Sequence, residues 1–235
     1  MRWLRTLVLF DKGDVIGSDD WEILHTSYTH AIISIDYPKG SGKLRLRRKI
    51  KLPNGQWQRN GVGYLRSRFL DYMKEIEGWR TEGVVKLARD RDQPPIMLYP
   101  SRELYREPVT SDFGGFDFVT TAPNGTRIAL EWETGNISSS HRSMNKLAVA
   151  LCNGIVEIGV LIVPSRELYA HLTDRIGNIG ELSGYLSMWE GLKSNVTRGV
   201  LAVTVVEHDE VTEDSSLPYL PVGNDGRAKE GRSKE

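Results

Sequence analysis

Apolar residues recur along the chain at two spacings, and each spacing predicts one kind of secondary structure. The stretch from Trp3 to Phe10 is apolar and rich in strand-forming residues, so it predicts a first β-strand. Ser18 or Asp19 can then cap a helix, because the apolar residues that follow lie three and four positions apart: Trp21, Leu24, Tyr28 and Ile32.

The rest of the chain continues this alternation of strands and helices. A helix is expected over 63–77, and strand with loop over 78–110. Two strands are expected over 113–121 and 127–133, joined by the turn Pro123-Asn124-Gly125. The later elements are a helix over 139–151, a buried strand over 156–163, two short helices that end near 192, and a buried strand over 199–206. This order predicts an α/β fold class: a central mixed β-sheet flanked by helices.

The length of 235 residues fits one domain. Residues 1–206 are expected to form it, with a basic insertion at about 39–62. Beyond residue 206 the apolar pattern fades into an acidic and then polar stretch. We therefore expect 207–235 to be a flexible C-terminal tail.

Composition excludes several classes of protein. Lys plus Arg and Asp plus Glu both number 31, so the formal net charge is zero. Cys152 is the single cysteine, which excludes a disulfide framework and a cysteine-rich zinc site within this chain. No apolar run is long enough for a signal peptide or a membrane span, so a cytoplasmic location is expected and no membrane partner.

The charges are unevenly distributed despite the zero total. From Tyr37 to Leu70 the chain has ten basic residues and no acidic residue. Such a run can be a solvated face, but ten cations without an anion would repel one another without a partner. We therefore expect contact with a nucleic-acid backbone, and the candidate residues are Arg45, Arg47, Arg48 and Lys49.

Three carboxylates mark the two strands around the Pro-Asn-Gly turn. Glu131 and Glu133 are two apart in a strand and so project from the same face. Pairing of the strands would bring Asp117 beside Glu131. Acidic residues on the solvent face of a hairpin are the plain alternative, but a cluster of carboxylates is costly without a counter-charge. Oxygen ligands favour Mg²⁺, or Mn²⁺ in its place, as that counter-charge.

The same residues resemble a known family, the PD-(D/E)xK nucleases, and within it type II restriction enzymes of the BglII/BstYI group. The resemblance rests on the segments AIISID at 31–36, DFV at 117–119, IALEWE at 128–133 and EIGVLIVPSREL at 157–168. It implies a prokaryotic homodimer that cuts double-stranded DNA at a short palindrome with Mg²⁺, alongside a cognate DNA methyltransferase.

The resemblance also implies roles for the three carboxylates. Asp117, Glu131 and Glu133 become the catalytic and metal-binding residues, with Asp117 and Glu131 as metal ligands. Glu133 occupies a position where that group has Gln and many relatives have Lys, and the Glu-x-Glu pattern is more similar to BamHI. The identity of the general base therefore stays open.

Short polar residues after the carboxylates are candidates for DNA contact. Asn136, Ser138, Ser139 and Arg142 lie at the start of a predicted helix, where free N–H groups attract phosphate. One of the serines is also expected to cap this helix. Asn178 and Ser183 belong to a glycine-rich loop that is either a second recognition element or a plain surface loop.

Two other functions remain open on the sequence. A defence or repair nuclease of the same fold could act on modified or single-stranded DNA, since one fold supports many substrates. A DNA-binding protein without catalysis is the other, although such a protein would keep acidic groups away from phosphate.

Overall fold

The computed structural model describes residues 1–79, 81–84, 96–97, 99–105, 115–173 and 176–221. The strands are β1 (Arg2–Lys12), β2 (Arg45–Arg47), β3 (Ile50–Lys51), β4 (Trp57–Gln58), β5 (Thr81–Val84), β6 (Ile96–Met97), β7 (Leu104–Tyr105), β8 (Gly115–Thr121), β9 (Arg127–Trp132), β10 (Ile158–Pro164), β11 (Gly199–Glu207) and β12 (Glu210–Thr212). The α-helices are α1 (Asp19–Ile33), α2 (Gly63–Glu75), α3 (Ile137–Cys152), α4 (Arg166–His171), α5 (Ile179–Leu182) and α6 (Leu186–Glu190).

Six strands form one central sheet in the order β1-β11-β10-β9-β8-β5. Strand β10 runs parallel to both of its neighbours, whereas β1, β8 and β5 are antiparallel to theirs. Every residue of β10 and β11 is buried, as expected for strands covered on both faces. The sheet is therefore mixed, as the sequence predicts.

Helices cover both faces of this sheet. On one face α1 and α2 contribute Tyr28 and Phe69 to a core that includes Leu130 of β9. On the other face α3 contributes Leu147 to a second core that includes Ala129 of β9. Successive residues of β9 thus point to opposite layers. In the described ranges no helix has the length and apolar character needed to cross a bilayer.

Most predicted elements lie where the hydrophobic pattern places them. Ser18 is the N-cap of α1, and its side chain accepts a hydrogen bond from the backbone N–H of Trp21. The turn at 123–125 joins β8 to β9. Within 78–110 the structure has the short strands β5, β6 and β7. The remaining parts of that stretch, and residues 113–114 of the predicted strand, lie outside the described residues.

The C-terminal stretch differs from the prediction, because it pairs with the basic segment. Within that segment, β2 pairs in parallel with β12, and β3 pairs antiparallel with β4. Leu217 and Leu220 are buried in the same domain. The prediction of a loose tail after residue 206 is therefore wrong for 207–221, because this stretch supplies a strand and core side chains. Residues 222–235 lie outside the described part of the chain.

Candidate active site

The β8–β9 hairpin brings the three predicted carboxylates to one cleft. The register pairs Phe118 with Leu130, so Asp117 and Glu131 continue the ladder opposite each other. The backbone N–H of Trp132 donates to Asp117 Oδ2 at 2.8 Å. Glu133 follows the last residue of β9, and all three acids line a cleft of about 530 Å³.

Alternation along β9 separates these acids from the aromatic core. Trp132 is buried on the other face, where its ring centroid lies 4.7 Å from that of Phe69. Glu131 and Glu133 point the opposite way, into the cleft, and are only 8% and 5% exposed. The strand therefore buries both carboxylates at the rim of the core, where ionisation is costly.

Glu131 forms an ion pair with Lys146 of α3. The Lys146 ammonium also donates to the carbonyl oxygen of Gly115 at 2.8 Å. Burial raises the pKa of Glu131 to about 7, with smaller upward contributions from Asp117 and Glu133, while Lys146 acts in the opposite direction. The site thus holds a carboxylate whose charge is incompletely compensated.

Asp117 is paired from the other side of the cleft. Nη2 of Arg66, on α2, lies 2.5 Å from Asp117 Oδ1. Sequence reasoning missed Arg66 and Lys146 as members of the site. The signal for Lys146 was its helical spacing from Ser139 and Arg142, which line the same cleft. No comparable local signal pointed to Arg66.

Glu133 has no ion pair among the described residues. Its Oε1 accepts the backbone N–H of Gly135 at 2.5 Å. Burial raises the pKa of Glu133, and the Ser140 hydroxyl and the backbone N–H of Gly135 act against that rise. Its Oε2 is buried and has no hydrogen-bond partner in the described part of the chain. This oxygen is therefore the uncompensated acceptor of the cleft.

The donor set of the cleft fits a hard divalent cation. It consists of carboxylate oxygens, which Mg²⁺ prefers, and one of those oxygens lacks a partner. Across the described ranges, no three acidic, histidine or cysteine side chains are gathered closely enough to form a ready metal cluster. Two cations of the protein pair with acids of the cleft instead: Arg66 with Asp117 and Lys146 with Glu131.

The first turn of α3 lies next to the carboxylates. Asn136 is its N-cap, and its Oδ1 accepts the backbone N–H of Ser139 at 3.1 Å. The prediction that a serine caps this helix is therefore wrong. Ser138 is exposed, while Ser139 and Arg142 line the cleft. The predicted DNA-contacting residues of this turn are thus at or beside the carboxylates.

The second predicted recognition loop has a different character. Asn178 is buried and caps α5 in a reciprocal capping box with Glu181. Its Oδ1 accepts backbone N–H groups and its Nδ2 donates to Glu181 Oε2 at 2.8 Å. The structure does not support Asn178 as a base reader, because its amide is used within the helix cap. Ser183 is exposed and donates to the carbonyl of Gly180 at 2.8 Å, outside the cleft.

The predicted basic segment has partners within the chain. Glu210 of β12 pairs with Arg45 at 2.9 Å and with Lys43 at 2.7 Å. Arg48 pairs with Glu213 at 3.0 Å, and the remaining two predicted contacts face aromatic rings: Arg47 lies over Tyr219 and Lys49 over Trp57. Acids of the C-terminal stretch therefore neutralise part of the basic segment, and the prediction that this segment contacts a nucleic-acid backbone stays a prediction.

The known proteins with similar sequences include type II restriction enzymes. A protein-family model described as restriction endonuclease BamHI matches residues 1–227. The type II restriction enzyme OkrAI of Oceanobacter kriegii is 32% identical over 228 residues, which are 97% of this chain and 99% of that protein. The type II restriction enzyme BamHI of Bacillus amyloliquefaciens is 35% identical over 108 residues, 46% of each chain.

A solved structure is similar in fold. The crystal structure of restriction endonuclease BglII complexed with a DNA 16-mer has a TM-score of 0.52, covering 88% of this chain and 79% of that chain. Sequence identity is 7%, so this similarity concerns the fold alone. It confirms the central mixed sheet flanked by helices.

Proposed function

Because the chain belongs to the BamHI family of type II restriction endonucleases, we propose that it hydrolyses both strands of a short palindromic DNA site with Mg²⁺. Family membership confirms the predicted class of type II restriction deoxyribonuclease. The observation that carries the finer proposal is the convergence of Asp117, Glu131 and Glu133 on one cleft.

The three carboxylates have two different roles in this proposal. Asp117 and Glu131 would hold the metal through carboxylate oxygens, because both side chains line the same cleft. When bound, Mg²⁺ supplies an activated water and neutralises charge that develops on the phosphate, and Mn²⁺ can replace it. Glu133 Oε2, buried and without a partner among the described residues, would orient the attacking water and accept a proton.

The start of α3 would contact the DNA around the scissile phosphate. Arg142 lines the cleft and can bind a phosphate oxygen. Ser139 is beside it, and Ser138 is exposed on the same turn. The Oδ1 of Asn136 caps the helix, so its amide nitrogen is the group that would donate to a base or phosphate. Arg45, Arg47, Arg48, Lys49 and Ser183 lie outside the cleft. We propose only weak DNA contact for them, because the four cations already have partners within the chain.

A palindromic DNA site has two-fold symmetry, so a two-fold symmetric dimer would place one cleft on each strand. One chain contributes one such cleft to this proposal, so the proposed active form is a homodimer. The host must also protect its own copies of the site. A cognate DNA methyltransferase is therefore the proposed partner in the cell.

The test uses unmethylated phage DNA with Mg²⁺ or with EDTA. Asp117→Ala removes a proposed metal ligand, and Asp71→Ala removes an exposed acid of α2 outside the cleft as the matched control. We expect discrete fragments from the wild type and from Asp71→Ala with Mg²⁺, and none with EDTA or from Asp117→Ala. Sequencing the fragment ends would give the recognition site.

Other outcomes separate the alternatives. Cleavage of only modified or single-stranded DNA would replace the proposal with a different nuclease on the same fold. Salt-sensitive binding without cleavage of any DNA would indicate a binding protein without catalysis. If Asp117→Ala cleaves DNA as well as the wild type, Asp117 is not part of the catalytic site.

A further inference from the structure

Lys146 is held at the carboxylates by three groups. Its ammonium pairs with Glu131, donates to the Gly115 carbonyl at 2.8 Å, and lies 4.7 Å from the Phe116 ring centroid. The Lys146 side chain is only 13% exposed, although lysine ordinarily keeps its ammonium in water. Its position is thus a built feature of the cleft.

Burial of the Lys146 ammonium has to be compensated, because burying a charge costs free energy unless the charge has a partner. The cluster of acids provides that compensation. Glu131 lies near Asp117 and Glu133, whose negative charges act against the ionisation of Glu131. Arg66 pairs with Asp117, but the Arg66 side chain is 37% exposed, so solvent screens that pair. Lys146 is therefore the main internal counter-charge of Glu131.

We propose that Lys146 is a built-in counter-ion that occupies the cation position at Glu131 in the metal-free protein, and that a divalent metal ion must displace it to bind. This inference rests on the proposed function, since it assumes that Glu131 is a metal ligand. Lys146 acts as a positioning residue for the metal site.

The geometry makes the two cations competitors. Lys146 and the metal would both contact the carboxylate of Glu131. Two positive charges bound to one carboxylate repel each other strongly in a partly buried site. The lysine stem is flexible, so the ammonium can withdraw towards its second partner, the Gly115 carbonyl. The protein thereby folds without metal and still forms its site when metal arrives.

A variant that removes the Lys146 ammonium but keeps a side chain of similar length should bind the metal ion more tightly. Lys146→Met retains a long apolar side chain over Phe116 and removes the competing ammonium. We expect Mn²⁺ to bind about three- to tenfold more tightly to this variant than to the wild type. Lys146→Arg keeps the positive charge, so it should bind Mn²⁺ no more tightly than the wild type.

The experiment is a titration of the full chain with Mn²⁺ in the absence of DNA, followed by calorimetry or electron paramagnetic resonance at about pH 8.5, where protons compete little for carboxylates. The readout is the Mn²⁺ dissociation constant. Thermal unfolding in EDTA and in Mn²⁺ is measured in parallel. Lys146→Met should unfold at a lower temperature than the wild type in EDTA and gain more from Mn²⁺.

The outcomes separate this inference from the proposed function. If the wild type does not bind Mn²⁺, or Asp117→Ala binds it equally well, the metal site itself is wrong. If the wild type binds Mn²⁺ through Asp117 but Lys146→Met binds it equally or more weakly, the counter-ion role is wrong. Lys146→Gln repeats the charge removal with a different side chain, so a folding defect in one variant does not decide the result.

Discussion

Glu131 and Glu133 are separated by one residue, yet different groups surround their carboxylates. Glu131 faces the ammonium of Lys146, whereas Glu133 accepts a backbone N–H from Gly135 and keeps one buried oxygen without a partner among the described residues. Burial raises the pKa of both. These different surroundings support the roles that we propose, Glu131 as a cation ligand and Glu133 as a proton acceptor.

Close packing at the first turn of α3 favours glycine at position 177. A Cβ on Gly177 would lie 2.0 Å from Ser140 Oγ and 3.3 Å from Ile137 Cα, at the first turn of α3. We expect Gly177→Ala to lower the free energy of unfolding by about 1–3 kcal/mol, because the added atom overpacks that turn. Urea unfolding followed by circular dichroism measures the change.

Gly184 provides the matched control. A Cβ there would meet nothing within 4 Å, so Gly184→Ala should change the free energy of unfolding by less than about 0.5 kcal/mol. Equal losses in the two variants would show that contact with Ser140 is not what excludes a side chain at Gly177.

At the scale of elements, the site lies where the β8–β9 hairpin meets α3 on one side and Arg66 of α2 on the other. Strands β8 and β9 place Asp117 opposite Glu131, and α3 adds Arg142 and Lys146 from above the same face. A slip of one residue in β9 would turn Glu131 towards the aromatic core and bring Trp132 into the cleft. The register of this hairpin therefore determines whether the site exists.

Two arginines on different elements should respond differently to DNA. Arg142 lines the cleft, whereas Arg45 on β2 is paired with Glu210 at 2.9 Å. We expect Arg142→Ala to reduce the slope of log binding constant against log salt by about one, and Arg45→Ala to leave it nearly unchanged. Binding is measured by fluorescence anisotropy in Ca²⁺ over a series of salt concentrations.

The reverse order of effects would change the picture of the DNA-binding surface. A slope reduced by Arg45→Ala as much as by Arg142→Ala would mean that DNA displaces Glu210 from β2. The basic segment would then contact phosphate in the complex despite its pairing within the free chain.

At the scale of the molecule, the domain is closed by contacts between distant parts of the chain. Strand β1 pairs with β11, and β2 pairs with β12, so that the paired segments are separated by most of the sequence. Glu210 and Glu213 of the acidic stretch pair with Lys43, Arg45 and Arg48 of the basic segment, and the stretch also supplies strand β12. The cleft lies beside β8 and β9, and residues of both α2 and α3 line it.

The proposed homodimer predicts both a mass and a pattern of cleavage. Sedimentation should give twice the chain mass of 26.5 kDa. A mixed dimer of one wild-type chain and one Asp117→Ala chain should nick one strand of a plasmid site, because each cleft cuts one strand. Agarose gels that separate nicked from linear plasmid measure this outcome.

A monomeric mass together with full double-strand cleavage would contradict the assignment of one strand to each chain. Linear product from purified mixed dimers would do the same. The wild-type dimer, handled in the same way, is the control for loss of activity during purification.

Much of this protein follows from local sequence. Alternation and helical spacing predict the main strands and helices, because burial of one face is a local requirement. The turn at 123–125 then brings Asp117 to Glu131, since only a short stretch of chain lies between the two strands. Local patterns thus predict the mixed sheet and the convergence of the acids, and the family resemblance supplies the expected roles of those acids.

Contacts between distant segments could not be predicted in this way. The pairing of β2 with β12 places Glu210 beside Arg45, which the sequence predicts as a DNA contact. The ion pairs of Arg66 and Lys146 with the acids depend on where α2 and α3 pack on the sheet. The sequence by itself determined which groups could do the chemistry. Tertiary structure alone decided their partners, because hydrophobic spacing specifies which face of an element is buried and not which charged side chains meet across it.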